Sequence, residues 1–356
     1  MASEVLKKGG EVTSEVWGET RGFDFEGMRF GVKAWRASAP DARKGGALSV
    51  PILLVHGFAQ QASTWDDAVR LLAGAGAECF GFELAGHGAG ACSAGGDPAE
   101  RPGFFDLCFQ ARALLAFCRV VARDAGVAPV LVGYSMGGRV ALQAACLAAD
   151  DLRDGGDLDR TALRSSAAFA PCDRTDRLDV TGVGQRDTAA TSAGDAVRMP
   201  AAVPFSALVL ESAGLGPADD AAREALRERN FAWAARVRDE GVSAFMDWWA
   251  GLPLFESQRN LDDDQRERLR AGRLANDAES LALSFEQAGA HQMPLRCESI
   301  RALCELSRRG VPVSYLAGRL DAKYCEVLAN LRADSQGAVS CRVVPAAGHN
   351  IHLEQS

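Results

Sequence analysis

The sequence predicts an α/β fold, with a mostly parallel sheet flanked by helices, and two observations lead to this prediction. Short runs of consecutive apolar residues, such as 52–55 (ILLV) and 129–132 (PVLV), are typical of strands that are buried on both faces. Segments with apolar residues at helical spacing, such as 66–75 and 105–125, lie between these runs. Strands that alternate with helices in this way form right-handed crossovers and therefore a parallel sheet.

The composition is that of a globular protein of 356 residues, 47% of them apolar and 24% charged. The chain has 39 Lys and Arg against 47 Asp and Glu, and its net charge of −8 disfavours non-specific binding of nucleic acid. No apolar run reaches the roughly 18 residues of a membrane span, and residues 1–8 lack the apolar core of a signal peptide. We therefore expect a cytoplasmic protein without an integral membrane segment, whose ten cysteines are free thiols.

Three regions depart from the alternation of strands and helices. Residues 1–27 are polar and are expected to be loosely held, and residues 151–205 are expected to form an inserted, disordered surface loop. Residues 218–295 are rich in helical pattern and aromatic side chains without a strand signal, which indicates a helical cap over the carboxyl edge of the sheet. The sheet domain would then comprise residues 1–217 and 296–356.

A candidate nucleophile follows the apolar run at 129–132. Gly133-Tyr134-Ser135-Met136-Gly137 is a G-x-S-x-G motif between a predicted strand and a predicted helix, which is the context that gives this motif its meaning. The glycines allow a sharp turn, so that the hydroxyl of Ser135 projects above the sheet at a helix N-terminus.

A serine nucleophile needs a base, and the base needs an acid that orients it. His349 follows the last predicted strand and Asp321 follows the strand before it, so the order Ser, Asp, His is that of the α/β-hydrolase fold. His352 is a second histidine nearby, and Glu211, which also ends a strand, is an alternative for the acid. In this fold two backbone N–H groups form an oxyanion hole, and we expect Phe58 and Met136 to supply them.

Arginines near the nucleophile point to an anionic substrate. Arg139 lies four residues after Ser135, one helical turn away on the same face. Further arginines occur among the aromatic residues of the predicted cap. Because a guanidinium group binds a carboxylate through two parallel hydrogen bonds, this arrangement favours a substrate with carboxylates.

At these residues the sequence resembles the 2-succinyl-6-hydroxy-2,4-cyclohexadiene-1-carboxylate synthases, α/β-hydrolase-fold lyases of menaquinone biosynthesis. The similar segments are the elbow at 131–139 (LVGYSMGGR), the cap segments at 245–255 and 269–282, and GHNIHLE at 348–354. The resemblance implies the triad Ser135, Asp321 and His349. It also implies a set of substrate-binding residues. These are Tyr134, Arg139, Arg227, Trp248 and Arg273, with Arg223 as the alternative to Arg227.

The resemblance implies a pyruvate-eliminating reaction on a small-molecule tricarboxylate, 2-succinyl-5-enolpyruvyl-6-hydroxy-3-cyclohexene-1-carboxylate. Ser135, deprotonated through His349, would remove a ring proton, and neither a metal nor an organic cofactor would be needed. A serine esterase or a C–C-bond hydrolase of the same fold is the alternative, and a non-catalytic binding protein is a third possibility that the complete triad disfavours.

Overall fold

The computed structural model describes residues 16–37, 50–88, 98–153 and 203–355. The predicted α/β fold is confirmed, because eight strands form a single sheet in the order β1-β2-β4-β3-β5-β6-β7-β8. The strands are β1 Val16–Phe25, β2 Met28–Ala37, β3 Ile52–Val55, β4 Cys79–Phe82, β5 Val130–Tyr134, β6 Ala207–Glu211, β7 Val313–Gly318 and β8 Ser340–Val344. The pairings from β4 through β8 are parallel, whereas β1 with β2 and β2 with β4 are antiparallel.

One expectation about the N-terminal region is wrong. Val16–Phe25 is not loosely held but forms β1, which pairs along its whole length with β2 in a hairpin. The turn is made by Glu26 and Gly27, both with positive φ, and a two-residue turn of this kind matches the twist of the paired strands. Phe23 and Phe25 pack against the main core, which supplies the apolar contact that holds the edge strand.

Nine α-helices connect or follow the strands. They are α1 Asp66–Gly74, α2 Leu107–Ala125, α3 Met136–Arg153, α4 Asp220–Ala250, α5 Asp263–Leu274, α6 Ala278–Ala288, α7 Arg296–Arg308, α8 Ala322–Asp334 and α9 Ile351–Glu354, counted over the described residues. Short 3-10 helices occur at Ala62–Trp65, Pro98–Glu100, Pro102–Phe105, Pro253–Asn260 and Ala290–Gln292. The helix α4 is interrupted at Gly241, whose φ of 76° lies outside the helical region.

The segment between β6 and β7 has an apolar cluster of its own. Phe245, Trp249, Phe255 and Phe285 are buried in this cluster, and Phe58 from the loop after β3 packs against it. The segment therefore contacts the sheet domain at the carboxyl end of a central strand, where the predicted catalytic residues lie. The proposed boundaries of the cap at residues 218 and 295 stay a prediction.

The predicted inserted loop at 151–205 falls mostly outside the described residues, which resume at Val203 after Arg153. Both Val203 and Phe205 are buried in the main core, directly before β6. Among the described residues, no helix combines the length and the apolar character that crossing a membrane requires. The eight cysteines within this part of the chain are all free thiols.

Candidate active site

The turn between β5 and α3 holds Ser135 in a strained conformation. Its φ is 50°, in the left-handed region that non-glycine residues rarely occupy. A side chain at Gly133 would lie 2.7 Å from the backbone oxygen of Gly137, and one at Gly137 would lie 2.4 Å from the carbonyl of His56. The two glycines of the motif therefore permit the close approach of β5, α3 and the end of β3 that the turn requires.

Ser135, His349 and Asp321 are brought together by three separate strand ends. His349 Nε2 lies 3.1 Å from Ser135 Oγ, and His349 Nδ1 lies 2.8 Å from Asp321 Oδ2. His349 and Asp321 are buried, and the other carboxylate oxygen of Asp321 accepts a hydrogen bond from the backbone N–H of Tyr324 at 3.1 Å. The carboxylate is thereby fixed at the start of α8, so that it can orient the imidazole for proton transfer with the serine.

The structure also shows what the alternative residues do. Glu211 Oε1 lies 2.9 Å from Nδ1 of His352 and accepts a hydrogen bond from its backbone N–H, so Glu211 orients His352 and not His349. The ring of His352 stacks on Trp65 with centroids 3.5 Å apart. Asp321 and Glu211 thus belong to two separate histidines, and of these two pairs the one containing Asp321 reaches Ser135.

The loop after β3 lies beside the serine turn, because β3 and β5 are neighbours with Val55 opposite Gly133. The backbone N–H groups of Phe58 and Met136 therefore come from adjacent strand ends, one on each side of Ser135. This placement is compatible with an oxyanion hole. Their role as donors stays a prediction.

A cavity of about 110 Å³ adjoins the triad and is lined by both Ser135 and His349. Its basic residues are Arg139, Arg229, Arg273 and Lys323. Burial lowers the pKa of Arg139 and of Arg273 to about 10, so both remain cationic at neutral pH. Within the described part of the chain, none of the four forms an ion pair with a carboxylate, and the Nε atoms of the three arginines are buried without a hydrogen-bond partner.

The lack of carboxylate partners in the cavity contrasts with the surface of α4. There Arg238 pairs with Glu279 and Glu286, and Arg236 pairs with Glu240. An unpaired buried donor costs about 1–3 kcal/mol, and more when it is charged. The cavity is therefore suited to an anionic ligand that supplies the missing acceptors.

The structure does not bring Arg227, the expected first cap arginine, to the cavity beside Ser135. Arg227 is exposed, forms an ion pair with Glu224 and does not line the cavity, whereas Arg229 does. Arg223, the alternative, donates to the backbone carbonyls of His291 and Met293. Two positions along a helix rotate a side chain by about 200°, so Arg227 and Arg229 point to opposite sides of α4.

The expected tryptophan is also displaced by one position. Trp248 does not line the cavity; its ring packs against Trp233 and lies under Arg236, with the guanidinium 4.0 Å from the ring centroid. Trp249 lines the cavity and contacts Phe58, with ring centroids 5.0 Å apart. The rotation of α4 about its axis decides which of two adjacent tryptophans faces Ser135.

Tyr134 and Arg273 line the catalytic cavity, and their role in substrate binding stays a prediction. The buried ring of Tyr134 packs against Gly57 and His349, and burial raises its pKa well above the ordinary value, so its hydroxyl stays protonated. Arg273 donates to Gln258 Oε1 at 3.0 Å and lies over the ring of Phe255. Lys323, which the sequence analysis missed, follows Asp321 by two residues, and that proximity is the signal that could have identified it.

The fold is that of the α/β-hydrolases, and the triad has the arrangement typical of enzymes with this fold. Residues 49–174 match the serine aminopeptidase S33 family. MenH from S. aureus has the same fold, with a TM-score of 0.62 at 22% identity over 91% of this chain and 92% of that one.

The resemblance to the 2-succinyl-6-hydroxy-2,4-cyclohexadiene-1-carboxylate synthases is confirmed by sequence. The synthase of Citrobacter koseri is 28% identical over 311 residues, which are 85% of this chain and 88% of that protein. A Bacillus subtilis protein that carries the same name provisionally is 33% identical over 152 residues, 42% of this chain. In that second match the aligned segment spans about half of the relative, 52% of its length.

Proposed function

We propose that this enzyme is a pyruvate-eliminating lyase, which converts 2-succinyl-5-enolpyruvyl-6-hydroxy-3-cyclohexene-1-carboxylate to 2-succinyl-6-hydroxy-2,4-cyclohexadiene-1-carboxylate. The observation that carries the proposal is the set of three arginines, Arg139, Arg229 and Arg273, which converge beside Ser135 without a carboxylate partner among the described residues. A tricarboxylate substrate supplies acceptors for all three. The chain has a net negative charge, so this attraction has to be local.

The positions of the double bonds in the substrate ring and in the product ring show which bonds the reaction breaks. The substrate has its double bond between C3 and C4, and the product has double bonds from C2 to C3 and from C4 to C5. The conversion therefore breaks the C2–H bond and the C5–O bond and shifts the ring π electrons by one position. The C2 proton is acidified by the adjacent succinyl carbonyl, which takes up negative charge as the proton leaves.

The triad supplies the base for this step. His349 accepts the proton of Ser135 Oγ, and the serine oxygen removes the proton from C2, while Asp321 stabilises the imidazolium. The developing enolate oxygen would accept hydrogen bonds from the N–H groups of Phe58 and Met136. The electron pair then moves through the ring and expels enolpyruvate, which takes up a proton and tautomerises to pyruvate. No metal or organic cofactor takes part.

The alternative activity uses the same residues differently. In an esterase or a C–C-bond hydrolase, Ser135 attacks a carbonyl carbon and forms an acyl-enzyme. Such an enzyme has no need of three unpaired arginines beside the nucleophile. The similarity to the synthases over most of the chain also favours elimination. A cytoplasmic location, expected for an enzyme acting on a small metabolite, is part of the proposal.

Rapid mixing with p-nitrophenyl acetate, combined with a coupled pyruvate assay on the enolpyruvyl substrate, tests the proposal. We expect steady pyruvate release that is lost in Ser135→Ala, and no burst of p-nitrophenol equal to the enzyme concentration. A full burst without pyruvate release would instead assign the protein to the hydrolases.

A further inference from the structure

A second chamber of about 300 Å³ lies next to the catalytic cavity. Arg139, Arg229, Lys323 and Tyr324 line both spaces, so these side chains form the boundary between them. The helix α7 contributes Arg296 and Ile300 to the lining of the chamber. The elimination chemistry described above makes no use of this chamber.

The catalytic cavity alone is small for the proposed substrate. Its volume of about 110 Å³ is well below the roughly 300–1,000 Å³ that is usual for sites of small organic ligands. A cyclohexene ring with three carboxylate-bearing groups therefore needs adjoining space. The second chamber shares three basic residues with the catalytic cavity, Arg139, Arg229 and Lys323, whereas a neighbouring pocket of about 190 Å³ shares one, Arg273.

The charges around the chamber favour an anion. Four basic residues, Arg139, Arg229, Arg296 and Lys323, line it against two acidic ones, Glu326 and Asp334. Both acidic residues are exposed, as is Lys323, and neither acidic residue forms an ion pair with Lys323 or Arg296 within the described part of the chain. Asp334 lies at the other end of α8, about 16 Å along the helix axis from Lys323.

We propose that this chamber binds the succinyl arm of the substrate, with Lys323 and Arg296 as ligands of its terminal carboxylate. This inference rests on the proposed function, because it assumes the tricarboxylate. The ring carboxylate is attached directly to the ring, and the enolpyruvyl carboxylate departs with the leaving group. The succinyl group is the arm long enough to carry a carboxylate away from the ring.

The position of α3 indicates the path that the succinyl arm of the substrate takes. The succinyl carbonyl belongs at the N–H of Met136, at the start of this helix. Arg139 lies three residues further, about 4.5 Å along the axis, and borders the chamber. An arm that leaves the oxyanion hole along α3 therefore passes Arg139 and enters the chamber between Lys323 and Arg296.

The test compares two substrates that differ only in this arm: the enolpyruvyl substrate and its analogue with an acetyl group in place of the succinyl group. For Lys323→Met and Arg296→Met we expect kcat/KM on the succinyl substrate to fall about 10- to 100-fold, mainly through KM. On the acetyl analogue Arg296→Met, whose side chain lines the second chamber and not the catalytic cavity, should stay within about threefold of the wild type, since the lost contact is absent there. Lys323→Arg should retain most of the activity.

Arg301→Met is the matched control, because Arg301 is exposed on the same helix as Arg296 and lines neither cavity. Equal losses on the two substrates, or no loss on either, would overturn the proposal while pyruvate release by the wild type still supports the lyase. Calorimetric titration with the elimination product and with its acetyl counterpart measures the affinity for the succinyl arm directly, without turnover. Arg296→Met should weaken binding of the succinyl compound alone, and unchanged affinity would refute the role of the chamber.

Discussion

The guanidinium group of Arg229 lies 4.5 Å from the centre of the Trp233 indole ring, and both side chains line the wall of the catalytic cavity. They are four residues apart on α4 and therefore share one face of the helix. The indole thus holds in place a cation whose Nε has no protein acceptor within the described residues. This pair ties the proposed cap to substrate binding.

Arg229→Met should lower kcat/KM for the enolpyruvyl substrate about 30- to 1,000-fold, because a partly desolvated contact to a carboxylate is lost. Arg227→Met is the matched control on the same helix. Its exposed pair with Glu224 contributes little, so this variant should stay within about twofold of the wild type. Steady-state pyruvate assays measure both. A larger effect at Arg227 than at Arg229 would contradict the placement of these two side chains.

The proposed triad can be tested by single substitutions. Ser135→Ala, Asp321→Asn and His349→Ala should each reduce kcat by about 10³-fold or more, because the three residues act as one unit. The double variant Ser135→Ala/His349→Ala should be little worse than either single variant. Circular dichroism verifies folding, and a folded Ser135→Ala with near-normal pyruvate release would refute the assignment.

Substitutions of Arg139 and Arg273 test whether the site requires a guanidinium group, which can form two parallel hydrogen bonds to a carboxylate. Replacement of either by Ala should reduce kcat/KM on the enolpyruvyl substrate about 30- to 1,000-fold, and Lys should restore only part of it, since lysine keeps the charge but not the fork. On a neutral ester the same variants should have little effect. Equal effects on both substrates would remove the support for a carboxylate-bearing substrate.

His87 gives the stability of the fold a defined pH dependence. Burial, reinforced by the neighbouring His56, lowers the pKa of His87 to about 3, so the folded protein keeps it neutral. Below about pH 6.5 the unfolded chain binds a proton that the folded chain does not, and stability is lost as the pH falls towards 3.

Urea unfolding at several pH values between 7 and 4 measures this effect. The variant His87→Phe should show a shallower pH dependence than the wild type, by up to about 1.4 kcal/mol per pH unit. His291, whose pKa burial lowers to about 4, should continue to contribute in that variant. Identical pH profiles for the two proteins would contradict the buried neutral state of His87.

The sequence predicts the positions of Ser135, Asp321 and His349 because each follows a predicted strand, in the chain order that the α/β-hydrolase fold requires. Parallel neighbours bring their carboxyl ends together, so chain order alone places these side chains near one another. The strand Val16–Phe25 was not predicted because it is an edge strand with few apolar residues. The Glu26-Gly27 turn was the signal that could have identified it.

The cap residues were harder to predict for a different reason. Arg227 and Arg229, like Trp248 and Trp249, are equally compatible with a helical pattern, and packing against the sheet decides which of each pair faces inwards. Packing of this kind depends on residues distant in sequence, such as Phe58 against Trp249. The position of Lys323 at the catalytic cavity could not be predicted for the same reason, because residues from several helices and loops form this cavity.

The central claim is that Ser135 removes a ring proton and does not attack a carbonyl carbon. Product analysis of one reaction with the enolpyruvyl substrate tests it most directly, with pyruvate and the conjugated diene quantified together by chromatography and ultraviolet absorbance. Elimination predicts the two products in equal amounts, with no succinate. Release of succinate without pyruvate, from hydrolysis at the succinyl carbonyl, would contradict the account.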